Sequence, residues 1–131
     1  MQRRFISVAA ALVLCLATST TRAAEPEAAR DCFPAGTSWQ SWKAAESGDV
    51  LYLRVRVDDI YRVDLSPGSR VRKWPGHYLV NEVRGSSWIC SALDLDLTLA
   101  GQGGYREPLI AVSMRKLTPE EVAAIPSEER P

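Results

Sequence analysis

Two runs of strict alternation constrain this chain more than anything else in it. Leu51, Leu53, Val55 and Val57 alternate with Tyr52, Arg54 and Arg56, and a few residues later Tyr61, Val63 and Leu65 alternate with Arg62 and Asp64. Successive side chains of a strand point to opposite faces, so a period of two sends the apolar set to a core and the charged set to water. Asp58-Asp59 interrupts the pattern, and two such runs around a short acidic break make a β-hairpin. Arg54, Arg56, Arg62 and Asp64 then form a charge lattice on the wet face, either a solvated surface or an anion-binding patch.

The rest of the chain follows the same period. "HYLVNEV" at 77–83 is a short strand, and "LIAVSM" at 109–114 is a final one. "TSWQSWKAA" at 37–45 is a weaker first strand, with Trp39 and Trp42 on opposite faces. Two Pro-Gly pairs in "LSPGSRVRKWPGH" and the glycines of "AGQGGYREP" mark turns. Thr118 with Glu121 three residues on, and Pro119 between them, is a capping box that opens a short helix. Pro126 stops it, and its apolar residues Val122 and Ile125 are expected to dock on the sheet edge or end. Five or six short antiparallel strands and this helix predict a mainly β domain, a small open barrel or a sandwich.

The chain opens with Arg3-Arg4, an apolar run from Phe5 to Ala17 and small residues up to Ala23, the pattern of a Sec-type signal peptide over residues 1–23. The run is shorter than the roughly 20 residues of a membrane span. Leu14 before Cys15 departs from the small residue that lipid attachment requires, so a periplasmic protein is expected rather than a lipoprotein, with release from the cell as the variant. Residues 24–31 read as a flexible leader, 32–125 as one domain and 126–131 as a disordered tail. The signal takes three of the 16 basic residues and none of the 16 acidic ones, leaving a charge of about −3. That balance gives no reason to expect a nucleic-acid or membrane-surface partner. It also takes Cys15, and in an oxidising compartment the remaining pair, Cys32 and Cys90, reads as a disulfide rather than two free thiols. Closing a loop of nearly 60 residues would contribute roughly 4 kcal/mol in the chain-entropy account.

"SWICSALDLDLTLA", residues 87–100, invites a chemical reading. As one strand it places Leu93, Leu95, Leu97 and Leu99 in the core and Asp94, Asp96 and Thr98 on the other face, unless a bulge near Ser91-Ala92 resets the register. Cys90 then lies beside Trp88, and the disulfide would press Phe33 against that ring. Asp94 and Asp96 would stand about 6 to 7 Å apart at Cα, a spacing that two catalytic carboxylates could use, but nothing nearby separates their pKa values. Two strand carboxylates are too few for calcium, Asp58-Asp59 is explained by its turn, and His77 is the chain's one histidine, so no metal site is expected. No Gly-x-Ser-x-Gly elbow accompanies His77. Most of the four tryptophans and four tyrosines are expected to fill the core. Trp74, in a loop with basic neighbours, is the exception and marks a contact surface.

Cys32-Phe33, "YRVDL" at 61–65, "WICS" at 88–91 and "RKLTPEEVAAI" at 115–125, taken together and in order, resemble a family of short exported bacterial proteins, domain of unknown function 6491. The resemblance spans nearly all of the mature chain. Members of that family often carry two further cysteines, where this chain has Ser66-Pro67-Gly68 and Arg106-Glu107-Pro108. Their joint absence implies that they pair with each other, leaving Cys32 and Cys90 as the second pair. The resemblance implies fold and location and carries no activity.

The expected function is therefore a non-enzymatic periplasmic module without a cofactor, binding an envelope protein or a small ligand through Trp74 and the Arg54, Arg56 and Arg62 face, as a monomer or weak oligomer. The alternative is an enzyme of unfamiliar type built on Asp94, Asp96, His77 or Asp59. Alkylation of the denatured mature protein should find no free thiol, and its intact mass should rise by two hydrogens on reduction; two thiols alkylated without reductant would overturn the disulfide.

Overall fold

A computed structural model describes residues 31–36, 39–72, 74–85 and 87–131. The signal segment and residues 24–30 of the leader lie outside them. The alternating runs form the expected hairpin: β3 (Val50–Arg54) pairs antiparallel with β4 (Ile60–Leu65), Leu51 opposite Val63 and Leu53 opposite Tyr61. Val55 is still buried, and its N–H donates to the Asp59 carbonyl at 3.0 Å, closing the turn. Val57 therefore lies at the exposed tip and not in the core row.

On one side β3 is joined by β2 (Ser41–Ala44) and on the other β4 is joined by β9 (Ala111–Lys116), giving a four-stranded antiparallel sheet in the order β2-β3-β4-β9. A second antiparallel sheet, β5-β7-β8, is built from Tyr78–Asn81, Leu97–Ala100 and Arg106–Leu109. A third pairs β1 (Phe33–Pro34) with β6 (Trp88–Ile89). All three contribute to one core, where Leu51, Leu53 and Val63 meet Leu97, Leu99, Leu109, Phe33 and Ile89. Among the described residues no closed barrel forms. The described residues hold nine strands where the sequence suggested five or six. Most of the excess comes from short pairs and from a split strand: "LIAVSM" is preceded by β8 and divided from it at Ile110 alone. Ile110 is the corner at which the chain leaves one sheet for the other, and its N–H donates to the buried Ser69 hydroxyl at 2.9 Å. Pro108 fits β8 because β8 ends its sheet and owes no ladder hydrogen bond on its outer side.

"SWICSALDLDLTLA" is not one strand. After β6 a 3₁₀ turn runs over Ala92–Asp94, and the strand proper resumes at Leu97. The Asp94 carboxylate gathers the Cys90 N–H at 3.0 Å, the Ser91 N–H at 2.9 Å and the Ser91 hydroxyl at 3.1 Å. These local hydrogen bonds, chiefly that from the Cys90 backbone, hold the Asp94 carboxyl below its usual pKa and compete with a ladder. Leu93 is consequently 94% exposed, outside the core it was assigned to, whereas Leu95, Leu97 and Leu99 are buried as expected. The second face of β7 is buried as well, through Thr98 and Ala100.

Cys32 and Cys90 are joined in a disulfide. It does not press Phe33 onto Trp88. Phe33 pairs with Ile89 across β1 and β6, is 1% exposed, and packs its ring on Tyr61 of the four-stranded sheet at 4.9 Å between centroids. Trp88 is opposite Pro34 and half-exposed. The register decides this: Phe33 shares the inward face with Ile89, and Trp88, one residue away, must face outward. Trp39 and Trp42 likewise do not take opposite faces; both pack partly buried against the main core, because β2 begins only at Ser41.

The helix α1 (Pro119–Ala124) carries the Thr118–Glu121 capping box. It lies on the outer face of the four-stranded sheet rather than at an edge, packing Val122 and Ile125 against Tyr52, Ile60 and Leu117. Residues 126–131, read from sequence as a tail, continue across that face. Glu129 is buried and accepts the Glu46 N–H at 2.7 Å, Arg130 donates to the Ala123 and Ile125 carbonyls, and Arg54 donates to the Pro131 carbonyl. None of these polar partners is visible to a reading of apolar periodicity.

Leu93→Ala should leave stability within about 0.5 kcal/mol, whereas Leu97→Ala or Leu99→Ala should cost about 2 to 5 kcal/mol. Urea unfolding of the three variants checks the strand break, since a continuous strand would make Leu93 as costly as the others.

Candidate functional site

The two Pro-Gly turns and the glycine turn converge on one cleft of about 760 Å³. It begins with Val71, which is buried and whose N–H donates to the Gly48 carbonyl at 2.8 Å, tying the β4–β5 loop to the β2–β3 turn. Gly48 has φ +77°, and a Cβ there would come within 2.7 Å of the Val71 carbonyl oxygen. With Val71 turned inward, Arg70 and Arg72 on either side are turned outward and line the cleft.

Trp74-Pro75-Gly76-His77 then makes a tight turn. Proline stands at its second position and glycine at its third with φ +83°, the type II arrangement, and the His77 N–H reaches the Trp74 carbonyl at 3.3 Å. First and fourth residues of such a turn come side by side. The Trp74 and His77 rings accordingly stack, 6.0 Å apart at 12°. In the sheet that His77 leads into through β5, the loop between β7 and β8 turns through Gly103 and Gly104, both at positive φ, and lays the Tyr105 ring parallel to that of His77, 5.0 Å away at 3°. The result is a ladder of three rings with the imidazole in the middle. Gly101 makes room for it: a Cβ there would lie 2.6 Å from His77 Cδ2.

The ladder is oriented by polar groups. The Tyr105 hydroxyl donates to Glu107, which raises the phenol pKa and fixes the ring's rotation. His77 Nδ1 is buried without a hydrogen-bond partner. Trp74 remains 65% exposed. Gln102 completes the rim. Arg70 and Arg72 enter no ion pair with a described residue, so among its described lining residues the cleft presents two guanidinium groups against one carboxylate.

Of the residues singled out from the sequence, Trp74 and His77 fall in this cleft. The arginine face does not join them. Arg56 pairs with Asp59 at 3.5 Å, Arg62 with Asp64 at 2.8 Å, and Arg54 is occupied by Pro131. The candidate acids are dispersed too: Asp94 holds its turn, Asp96 pairs with Arg84, and Asp59 also meets Lys116 at 2.8 Å. Among the described residues no three histidine, cysteine, aspartate or glutamate side chains gather as metal ligands would, and no helix is long and apolar enough to cross a membrane. Tyr105, Arg70, Arg72 and Gln102 were not singled out from the sequence. The signal available was the pair of turn motifs, "WPGH" and "GQGGY", each ending next to an aromatic ring. Comparison with known protein families, with curated proteins and with solved structures finds no match.

Gly101→Ala should leave the fold intact, because its backbone at φ −160° suits any residue, and should expel His77 from the ladder. The imidazole C–H signals of this single histidine, shifted upfield between two rings in the parent, would then move toward free-histidine positions. Unmoved signals would show that the rings are not stacked in solution.

Proposed function

We propose that this chain is a non-enzymatic binding module of the periplasm, exported by its signal segment, and that it holds a small ligand in the Trp74–His77–Tyr105 cleft. The observation that carries the reading is the cleft's construction. Two loops that meet at one end of the β5-β7-β8 sheet, each with glycine at positive φ, stack three rings beside two arginines that have no ion-pair partner among the described residues. A concave site with an aromatic wall and a few convergent polar groups is the form that small-molecule sites take, and its volume lies in their usual range of about 300–1,000 Å³. Unpaired cationic groups beside an exposed tryptophan are not needed by the core, which closes without them.

The enzymatic alternative finds less support. General acid–base chemistry needs two groups of separated pKa within reach of one substrate, and Asp59, Asp94 and Asp96 are each bound into separate structural contacts away from His77. Membership of the family of short exported proteins, as a monomer or weak oligomer, belongs to the same proposal and rests on the sequence motifs.

A thermal-shift survey with saccharides, nucleotides, amino acids and fatty acids tests the reading. A ligand at a hundred times its Kd stabilises by about 2.7 kcal/mol, a shift of roughly 10 °C for a domain of this size. At least one compound should raise the melting temperature of the parent and not of Trp74→Ala. A survey in which every stabilising compound acts equally on both proteins would remove the cleft from consideration.

A further inference from the structure

Taking the cleft as a ligand site, we propose that the ligand is an acidic saccharide, a pyranose ring carrying a carboxylate. The proposal deepens the reading above and rests on it. Three features of the lining select this chemistry.

The first is the ladder itself. Its middle ring is in contact with both of the others, and Trp74, 65% exposed, offers a ligand the most open surface. A pyranose offers a flat face of C–H bonds, whose positive edges suit the negative face of an indole. The second is the pair of guanidinium groups on Arg70 and Arg72. They flank the buried Val71, reach the same cleft and have no carboxylate of their own among the described residues. A guanidinium fork matches a carboxylate in two parallel hydrogen bonds. The third is the remaining rim, an amide on Gln102 and a carboxylate on Glu107. An amide both donates and accepts, and a carboxylate only accepts, which together satisfy hydroxyl groups. Glu107 also argues on charge. Among the described lining residues, two guanidinium groups less one carboxylate leave about one positive charge, which balances a uronate.

The selection is therefore for a ring rich in hydroxyls with one negative charge, and it excludes a purely apolar ligand. Arg70 and Arg72 are exposed and Trp74 is in a loop, so substitutions there leave the fold in place, which circular dichroism confirms for each variant.

The test is calorimetric titration of the disulfide-bonded mature protein with three probes: a galacturonate trimer, the same trimer with its carboxylates methyl-esterified, and adenosine monophosphate. The acidic trimer should bind, weakening with added salt, and the ester should bind about tenfold more weakly. Arg70→Gln and Arg72→Gln should each weaken the acidic trimer about tenfold and change the ester less than twofold. Trp74→Ala should abolish both. Equal binding of trimer and ester, or loss of the ester on arginine substitution, would overturn the assignment of the arginines. Binding of adenosine monophosphate in place of the trimer, or of neither while another compound stabilises the protein through Trp74, would overturn the saccharide and leave the cleft as a binding site. Absence of any Trp74-dependent ligand, here and in the thermal survey, would overturn both.

Discussion

Everything in this structure depends on a chain that turns a corner. Neither sheet could stand alone: three strands of four residues and four of four to six each bury one apolar face only by meeting the other. The meeting is arranged at Ile110, where β8 of one sheet becomes β9 of the next within a single residue. The bend leaves a backbone N–H without a ladder partner, and the buried Ser69 hydroxyl supplies one. The Ser66 N–H donates in turn to the Ile110 carbonyl at 2.8 Å, so both backbone groups at the corner are satisfied from one turn. The disulfide then closes the end of the core, holding β1 and β6 where Phe33 can seal it against Tyr61.

The cleft inherits its geometry from the same arrangement. The Ser66–Ser69 turn that serves the corner also starts the loop that carries Arg70, Arg72, Trp74 and His77. That loop joins the two sheets, while Tyr105 comes from a hairpin within one of them. The aromatic ladder is thus built at one end of the β5-β7-β8 sheet, where His77, Gly101 and Tyr105 adjoin the paired residues Tyr78, Ala100 and Arg106, and the loop that brings Trp74 is tied down at Val71.

Local signals in the sequence read true where the interaction is local. The β3–β4 hairpin follows from alternation, and the helix from Thr118, Pro119 and Glu121, whose partners lie within three residues. The signals failed where two local preferences competed. Leucine alternates with aspartate from 93 to 97 and with Thr98 up to Leu99, yet Ser91 and Asp94 offer the backbone a turn, and three hydrogen bonds to one carboxylate outweigh the exposure of Leu93. They failed also where the partner is distant. Nothing near Phe33 names Tyr61, nothing near Glu129 names the Glu46 N–H, and nothing near Arg54 names the Pro131 carbonyl. Trp74 and His77 could be noticed singly; their stacking with Tyr105 required two loops to meet.

The register between β4 and β9 sets a condition on how the protein comes to be folded. Tyr61 pairs with Lys116 and Asp64 with Ser113, partners about 50 residues apart, so the inner strand of the larger sheet is an edge until the end of the chain arrives. Closing so long a loop is slow compared with making the hairpin. Throughout that interval β4 presents an open ladder of the kind that recruits other chains. Arg62 and Asp64, paired with each other, stand on that temporary edge, and a charged strand is a poor template for a neighbour. Before β9 docks they guard that edge against aggregation, and once it has docked the Asp64 carboxylate accepts from the Ser113 hydroxyl of β9.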